Sequence, residues 1–208
     1  MGPMQAGSLH HKTSMPTTAT PLEIVLYPDP LLTKPCRRIT EAELKAGKAG
    51  QWDLPELAER MRATMYAAEG IGLAAPQVGV GLRLFLIDVS KERNTCQVLL
   101  NPVLAGMQGS QVEEEGCLSI PGVRAKVKRA LSLKLKAVDL KGEPIEFDAS
   151  ELLARVCQHE HDHLDGVLFI NKIGMASKFM LRRELSELEE DYALKQAKLK
   201  KKKSRGSE

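Results

Sequence analysis

The amino-acid sequence predicts an α+β fold, in which mixed or antiparallel sheets pack around a central helix and a further helix follows at the C-terminus. Residues 123–138 alternate apolar and polar side chains, as half-buried antiparallel strands do. Residues 148–166 instead place apolar residues at helical spacing, and the elements do not follow a regular βαβ order. The chain has 208 residues, of which 43% are hydrophobic, so it suffices for one domain with a substantial core.

The first elements follow from turn and capping residues. Residues 1–20 lack a periodic apolar pattern, so we expect a disordered N-terminal tail before a folded domain at residues 21–194. The stretch PLEIVLYPDPLL is expected to be extended and to end in a proline turn. A helix then begins after Asp53, with Glu56 completing a capping box, and stops at Gly70. Its apolar stripe predicts core packing by Leu54, Leu57, Met61 and Met65.

Strand signals follow this helix. LRLFLIDV and QVLLNPVL have the composition of strands. DLKGEPIEF predicts a hairpin that turns at Lys141 and Gly142. The alternating stretch between them contains the inward-facing residues Val123, Ala125, Val127, Leu131, Leu133 and Leu135.

The central helix has start and stop signals in the sequence. Asp148 is its expected N-cap, with Glu151 in a capping box and Phe147 and Leu152 forming a hydrophobic staple. Gly166 can end the helix in a left-handed turn. The following VLFINKI is expected to be a short strand.

A final helix is predicted from about Ala176, because apolar residues recur there at helical spacing. These residues are Leu181, Leu185, Leu188 and Tyr192. Residues 195–208 then form a basic tail with seven Lys or Arg residues and one Glu. Because the net charge of the whole chain is only +3, the remainder is slightly acidic.

The stretch QHEHDHLDG at residues 158–166 predicts a metal site. Each residue turns a helix by about 100°, so His159 and His163 share a face and can reach one ion. His161 points away from that face, so we exclude it as a ligand. Glu160, the second residue of an H-E-x-x-H pattern, is expected to act beside the metal as a general base.

A catalytic metal site usually has three protein ligands and one open position, so a third ligand is required. One candidate is a glutamate of the last helix, Glu184 or Glu187, which would give a zinc endopeptidase. The other candidate is Cys117, which lies in the bend EGCLSIPG, where a thiolate is well suited to bind a metal.

Three segments together resemble the signature motifs of the peptide deformylase family, in its bacterial form with a C-terminal helix. They are GIGLAAPQVG at residues 70–79, EGCLS at 115–119 and QHEHDHLDG at 158–166, in that family's order and at similar spacing. The resemblance covers about residues 22–195. The long N-terminal tail and the lysine-rich end depart from the family pattern.

The resemblance implies a catalytic domain that hydrolyses the N-formyl group from the N-terminal methionine of new polypeptides and releases formate. It implies Cys117, His159 and His163 as ligands of Fe²⁺, with Zn²⁺, Ni²⁺ or Co²⁺ able to substitute and a water at the fourth position. A divalent metal lowers the pKa of its water from 15.7 to about 7, which makes hydroxide available for attack on the formyl carbonyl.

The resemblance also implies roles for residues around the metal. Glu160 would move the proton, while the Gln77 side-chain amide and the Leu118 backbone N–H would stabilise the oxyanion. Gly70 and Gly72 would allow a substrate to lie close to the backbone. Arg124 would contact the substrate main chain, and the pocket for the methionine side chain would be lined by Ile71, Leu152 and Val156.

Four further residues receive structural expectations. Glu115 and Arg129 are expected to form an ion pair. Asp162 either orients a metal ligand or forms a pair on the helix surface. Cys157 lies two residues before His159, so it faces elsewhere and is expected to be a core thiol.

The composition limits location and partners. No apolar run is long enough to span a bilayer, no signal-peptide core is present, and four cysteines without a C-x-x-C pair suit a reducing cytoplasm. We expect a cytoplasmic monomer that contacts nascent formyl-methionine peptides and the ribosome, with rRNA contact through residues 195–208, and no DNA or membrane. A family member without catalysis, acting only as a ribosome-associated module, is the remaining alternative.

Overall fold

The computed structural model describes residues 19–205, in which nine strands form three antiparallel sheets. The main sheet has five strands in the order β3-β4-β5-β8-β9. These strands are β3 (Gly72–Ala74), β4 (Leu84–Ile87), β5 (Gln97–Gln108), β8 (Ser132–Val138) and β9 (Pro144–Ser150). A separate hairpin pairs β6 (Gln111–Cys117) with β7 (Ile120–Arg129), and a small one pairs β1 (Lys48–Ala49) with β2 (Trp52–Asp53).

Five α-helices accompany the strands within the described residues. They are α1 (Glu41–Ala46), α2 (Leu54–Ala67), α3 (Glu151–Leu164), α4 (Met175–Met180) and α5 (Arg182–Arg205). None of them is both long and apolar enough to cross a membrane. The α+β prediction, with antiparallel sheets around a central helix and a C-terminal helix, is therefore confirmed.

The main sheet is covered on both faces near its centre, which explains why β4 is continuously apolar. Leu84 and Leu86 of β4 pack in the core cluster that contains α2, whereas Phe85 and Ile87 pack in the cluster that contains α3. Side chains alternate across a strand, so one short strand contributes to both clusters. The predicted stripe of α2 is entirely buried, and Asp53 caps this helix by accepting from the Glu56 N–H at 3.0 Å.

The expected start of the central helix was wrong. Asp148 lies in β9, opposite Lys134 of β8, and Phe147 lies opposite Leu135. Strand pairing provides partners for the backbone of residues 144–150, and this outweighs the local capping signal. The helix begins instead after Ser150, whose side chain makes no capping hydrogen bond, while the Glu151 N–H donates to the Leu131 carbonyl at 2.8 Å.

The end of this helix agrees with the sequence, but the next segment does not. Gly166 has a φ of 72°, and a Cβ there would lie 2.6 Å from the Thr33 carbonyl oxygen. VLFINKI was expected to be a strand, yet Phe169–Asn171 forms a 3-10 turn. Its apolar residues Leu168, Phe169, Ile170 and Ile173 are buried against β7 in the third core cluster, so packing rather than sheet pairing accounts for them.

The C-terminal helix docks on this third cluster through Leu181, Leu185 and Leu188. It is interrupted at Leu181, which caps α4 before α5 begins. Tyr192 donates to Asp29 at 3.1 Å, so the predicted stripe does face the body. Helix α5 continues to Arg205, so most of the basic segment 195–208 is helical. Most of the expected disordered tail, residues 1–18, lies outside the described residues.

Candidate metal centre

Three side chains meet at the inner face of α3 in an arrangement that fits one metal ion. The ligand atoms of Cys117, His159 and His163 all lie within 4.8 Å of one another. Two are on the helix, one turn apart, and Cys117 ends β6, which hairpin β6–β7 brings against that face. The Cys117 sulfur is 3.3 Å from His163 Nε2. One sulfur and two imidazole nitrogens are a donor set that suits several divalent metals.

Gln77 lies beside the sulfur. Its side-chain oxygen accepts from the Ala74 N–H at 2.8 Å, which points the amide NH₂ group at Cys117 Sγ, 3.5 Å away. The same NH₂ group is 3.3 Å from Ser119 Oγ. Gln77 is 1% exposed. Its side-chain amide is held in place by Ala74 on one segment and by Cys117 and Ser119 on another.

Glu160 is buried against a glycine. A Cβ at Gly72 would lie 2.8 Å from Glu160 Cδ and 2.9 Å from Cγ, closer than real Cβ contacts. Gly70 faces Leu118 in the same way, since a Cβ there would lie 2.8 Å from Leu118 Cδ1. The two glycines therefore let residues 70–72 pass directly over two of the predicted site residues. One carboxylate oxygen of Glu160, Oε2, is buried without a hydrogen-bond partner.

His159 is oriented by a buried network of charged residues. Glu115 Oε2 lies 3.0 Å from His159 Nδ1, which leaves Nε2 for the metal. Arg129 holds the Glu115 carboxylate through two hydrogen bonds of 2.9 Å, and Arg155 adds one of 2.5 Å. Arg129 also donates to Asp162, which pairs with Lys172 at 3.0 Å.

The predicted Glu115–Arg129 pair is confirmed by these contacts. Among the described residues, the Asp162 carboxylate makes no hydrogen bond to Cys117, His159 or His163, and it is connected to His159 through Arg129 and Glu115. Cys157 is fully buried, and this burial raises the pKa of its thiol to about 12, as expected of a core thiol.

The pKa values reflect burial modified by neighbouring charges. Burial raises the pKa of Glu160 to about 7, although His159 and Arg129 oppose the shift. Burial lowers the pKa of His159, but its Cys117 and Glu115 acceptors outweigh this and raise it to about 10. Burial, reinforced by His159 and Arg129, places the pKa of His163 well below its usual value. Burial also opposes ionisation of Glu115, but Arg129 and His159 hold its pKa near 2.

Other expected site residues differ in their exposure and in the contacts that they make. Arg124 is exposed on β7, where it pairs with Glu114 at 2.6 Å. Ile71 and Leu152 are 38% and 49% exposed, whereas Val156 is 5% exposed and belongs to the core cluster of α3. No described contact joins these three apolar side chains into one pocket.

His161, excluded as a ligand, indeed faces away from the cluster. Its ring lies 3.0 Å from Arg83 and 3.3 Å from Asp165. The endopeptidase alternative finds no support, because Glu187 pairs with Arg183 at 2.9 Å and Glu184 is exposed. Among the described residues, the group that could hold a metal contains neither glutamate.

Two further residues of the site were not predicted from the sequence. Ser119 anchors the Gln77 amide, and Arg155 anchors Glu115 from the helix itself. Ser119 carries no local signal, whereas Arg155 lies four residues before His159, and this spacing of one helical turn could have indicated it.

Comparison with known proteins agrees with this geometry. The family model for polypeptide deformylase matches residues 21–179. Peptide deformylase from Acidobacterium capsulatum is 45% identical over 170 residues, covering 80% of this chain and 94% of that protein. Peptide deformylase from Xylella fastidiosa is 43% identical over 166 residues, covering 80% of this chain and 95% of that protein.

Solved structures show the same relationship. A crystal structure of a peptide deformylase from Legionella pneumophila superimposes with a TM-score of 0.73 at 36% identity, covering 84% of this chain and 98% of that one. A plant peptide deformylase gives a TM-score of 0.77 at 38% identity, covering 85% and 93%. The chain therefore belongs to the polypeptide deformylase family, whose metal-dependent enzymes remove the formyl group from N-terminal methionine.

Proposed function

We propose that this chain hydrolyses the formyl amide of nascent formyl-methionine peptides with Glu160 as the group that moves protons. The observation that carries the proposal is the unpartnered Glu160 Oε2, buried next to the Cys117, His159 and His163 cluster. An unpaired buried carboxylate oxygen is unfavourable, so its presence beside a metal-ligand cluster indicates a group reserved for a ligand.

The residues of the candidate site would have different roles in the hydrolysis. Cys117, His159 and His163 would hold a divalent ion, which, when bound, acidifies a water molecule so that hydroxide is available near neutral pH. Glu160 would accept a proton at Oε2 and pass it to the departing amine nitrogen. The Gln77 amide, which points at the Cys117 sulfur, and the Leu118 N–H would donate to the oxygen of the formyl carbonyl as negative charge develops there.

Substrate binding is proposed at residues 70–72 and at the neighbouring hairpin. The glycines at 70 and 72 already allow close backbone approach, and Ile71 between them is partly exposed. We assign Ile71, Leu152 and Val156 to the binding of the methionine side chain and Arg124 to the peptide main chain. Arg124 can exchange its partner readily, because its pair with Glu114 is exposed on both sides.

We propose Fe²⁺ as the native ion. The thiolate and the two imidazoles would equally accept Zn²⁺, Ni²⁺ or Co²⁺, so the donor set alone does not choose among them. Metal analysis of protein purified without oxygen tests this assignment. Zinc as the sole metal under those conditions would contradict it.

The test of the proposed function compares Glu160→Gln with His161→Gln. Glu160→Gln should retain the metal and lose formate release from a formyl-methionine peptide by about 10²–10⁴-fold, because a proton-transfer group is removed. His161→Gln lies one residue away on the same helix but faces Arg83, so it should remain near normal. Near-normal turnover in metal-loaded Glu160→Gln would refute the assignment, and loss of activity in both variants would indicate a disturbed helix.

We further propose that the basic end of α5 contacts ribosomal RNA. Helix α5 is docked by its leucines and by Lys195, which pairs with Glu23 at 3.0 Å, so its C-terminal charges are carried on a fixed helix. Deleting residues 195–208 should leave hydrolysis of a short formyl peptide intact and weaken ribosome binding, with a shallower dependence on salt. Equal ribosome affinity of the truncated and full-length proteins at low salt would show that the segment does not bind RNA.

A further inference from the structure

Residues 69–72, called here the site loop, lead from α2 to the start of β3 and pass against Leu118 and Glu160, next to the candidate metal ligands in the sequence. Gly70 of this loop touches Leu118, and Gly72 touches Glu160, each so closely that a Cβ would force the neighbouring side chain to shift. Ile71 lies between them with 38% of its surface exposed. The position of this backbone therefore determines both the space above Glu160 and the placement of Ile71.

Arg93 binds the site loop from the outside. Its Nη2 donates to the Gly70 carbonyl at 2.6 Å, and its Nη1 donates to the Glu69 carbonyl at 3.4 Å. These are the side-chain hydrogen bonds that the carbonyls of the loop accept in the described part of the chain. The Arg93 guanidinium also lies over the ring of Tyr66, 5.2 Å from its centre, which fixes the plane of the two donors.

Arg93 is itself held by a turn built around one carboxylate. Asp88 accepts from the Tyr66 hydroxyl at 2.6 Å, from the Ser90 N–H at 2.9 Å and from the Thr95 N–H at 3.2 Å. The Asp88 N–H donates to the Ile71 carbonyl at 2.9 Å. Asp88 therefore hydrogen-bonds both to the turn that contains Arg93 and to the site loop that Arg93 contacts.

We propose that Arg93 is a positioning residue, which holds the site loop against Leu118 and Glu160 and thereby sets the affinity and side-chain selectivity for the first residue of the substrate. This inference rests on the proposed function, in which Ile71 contacts that side chain. A loop with two glycines has many accessible conformations, and two hydrogen bonds to adjacent carbonyls remove much of that freedom. Without them, Ile71 no longer has one fixed place relative to Glu160.

The test uses Arg93→Ala, Arg93→Lys and the control Arg37→Ala. Arg37 also makes a two-pronged contact, with Glu43 at 2.7 and 2.8 Å, but it touches no part of the site loop. Arg93→Ala should raise KM for a formyl-Met-Ala-Ser peptide by about tenfold, the order expected from losing a charged hydrogen bond. It should change kcat less and should reduce the preference over formyl-Ala-Ala-Ser. Lysine should rescue only partly, since it cannot supply two coplanar donors.

A second measurement does not depend on activity. Hydrogen exchange at the amides of residues 70–72 should become faster in Arg93→Ala than in the wild type and in Arg37→Ala. Unchanged exchange in this loop, or unchanged KM and selectivity, would overturn the inference. A wild-type protein that releases no formate would instead refute the proposed function, and the exchange data would still decide whether Arg93 holds the loop.

Discussion

The contact between Gly72 and Glu160 gives the sharpest prediction about catalysis. In Gly72→Ala, the new methyl group would lie 2.8 Å from Glu160 Cδ and 2.9 Å from Cγ. Ordinary carbon–carbon contacts are about 3.5–4.0 Å, so the carboxylate must retreat by roughly 1 Å. Misplacing a reacting group by about that distance can lower the rate roughly 10²-fold, while overpacking of this kind destabilises a protein by about 1–3 kcal/mol. We expect kcat/KM to fall about 100-fold in a protein that remains folded and binds its metal.

Two comparisons make this result interpretable. Gly81→Ala is a matched control, because a Cβ at Gly81 meets no atom within 4 Å and its φ is not in the left-handed region. In a Glu160→Gln background, Gly72→Ala should reduce the remaining activity much less, since the displaced group no longer transfers protons. The assay is formate release, with metal content and thermal unfolding measured in parallel. Gly72→Ala with activity within twofold of wild type would refute the argument that this contact places the carboxylate.

The remaining predictions concern the two buried carboxylates that hold the structure around the site. Glu115→Gln removes the carboxylate that pairs with Arg155 and one of the two that pair with Arg129, which keeps Asp162. We therefore expect urea unfolding to show a loss of about 3–5 kcal/mol and chelator competition to show about 10–100-fold weaker metal binding. An unchanged unfolding midpoint would contradict this. Burial opposes ionisation of Asp88, but hydrogen bonds from Ser90 and Tyr66 outweigh burial and lower the pKa of Asp88 in the folded protein. The stability that Asp88 contributes is therefore fully present above the unfolded pKa of about 3.9, and it is lost as pH falls through the lower folded pKa. The difference in unfolding free energy between wild type and Asp88→Asn should therefore shrink below about pH 4, and a difference that grows on acidification would refute the sign.

The parts of the fold that the sequence predicts are those with a local periodic pattern. The stripe of α2 and the alternation of β7 and β8 each recur over a full element, and both are confirmed. The expected inward position of Leu131 was wrong, because this residue lies in the turn between the two strands and is 42% exposed. The start of α3 was wrong because a capping box is a signal of only four residues. The partner strand β8 supplies hydrogen bonds along all of β9, up to Ser150 opposite Ser132, and sequence alone does not show that pairing.

For the candidate site too, the sequence predicts the local arrangements but not those between distant segments. His159 and His163 are one helical turn apart, so helix geometry alone brought them together. Cys117 is 42 residues before His159 in the sequence, and it was assigned by family resemblance because no local rule spans that separation. No local pattern in the sequence predicts the contacts of Arg93 and Arg155. Arg93 donates to the backbone carbonyl of Gly70, and Arg155 donates to the buried carboxylate of Glu115. Both partners lie on segments distant in the sequence, so neither contact follows from the residues next to the arginine.

Buried polar atoms without hydrogen-bond partners indicate that the site lowers the stability of the fold in favour of function. Among the described residues, four buried side-chain atoms have no hydrogen-bond partner. Three of them, Arg155 Nη2, Glu160 Oε2 and His163 Nδ1, lie on α3, and the last two belong to the metal centre. Each such atom costs about 1–3 kcal/mol. Glu115, in contrast, is just as buried and is fully satisfied by Arg129, Arg155 and His159. Helix α3 therefore supplies partners for Glu115, which orients His159, but none for Oε2 of Glu160, which is proposed to transfer a proton. A hydrolytic site requires both features.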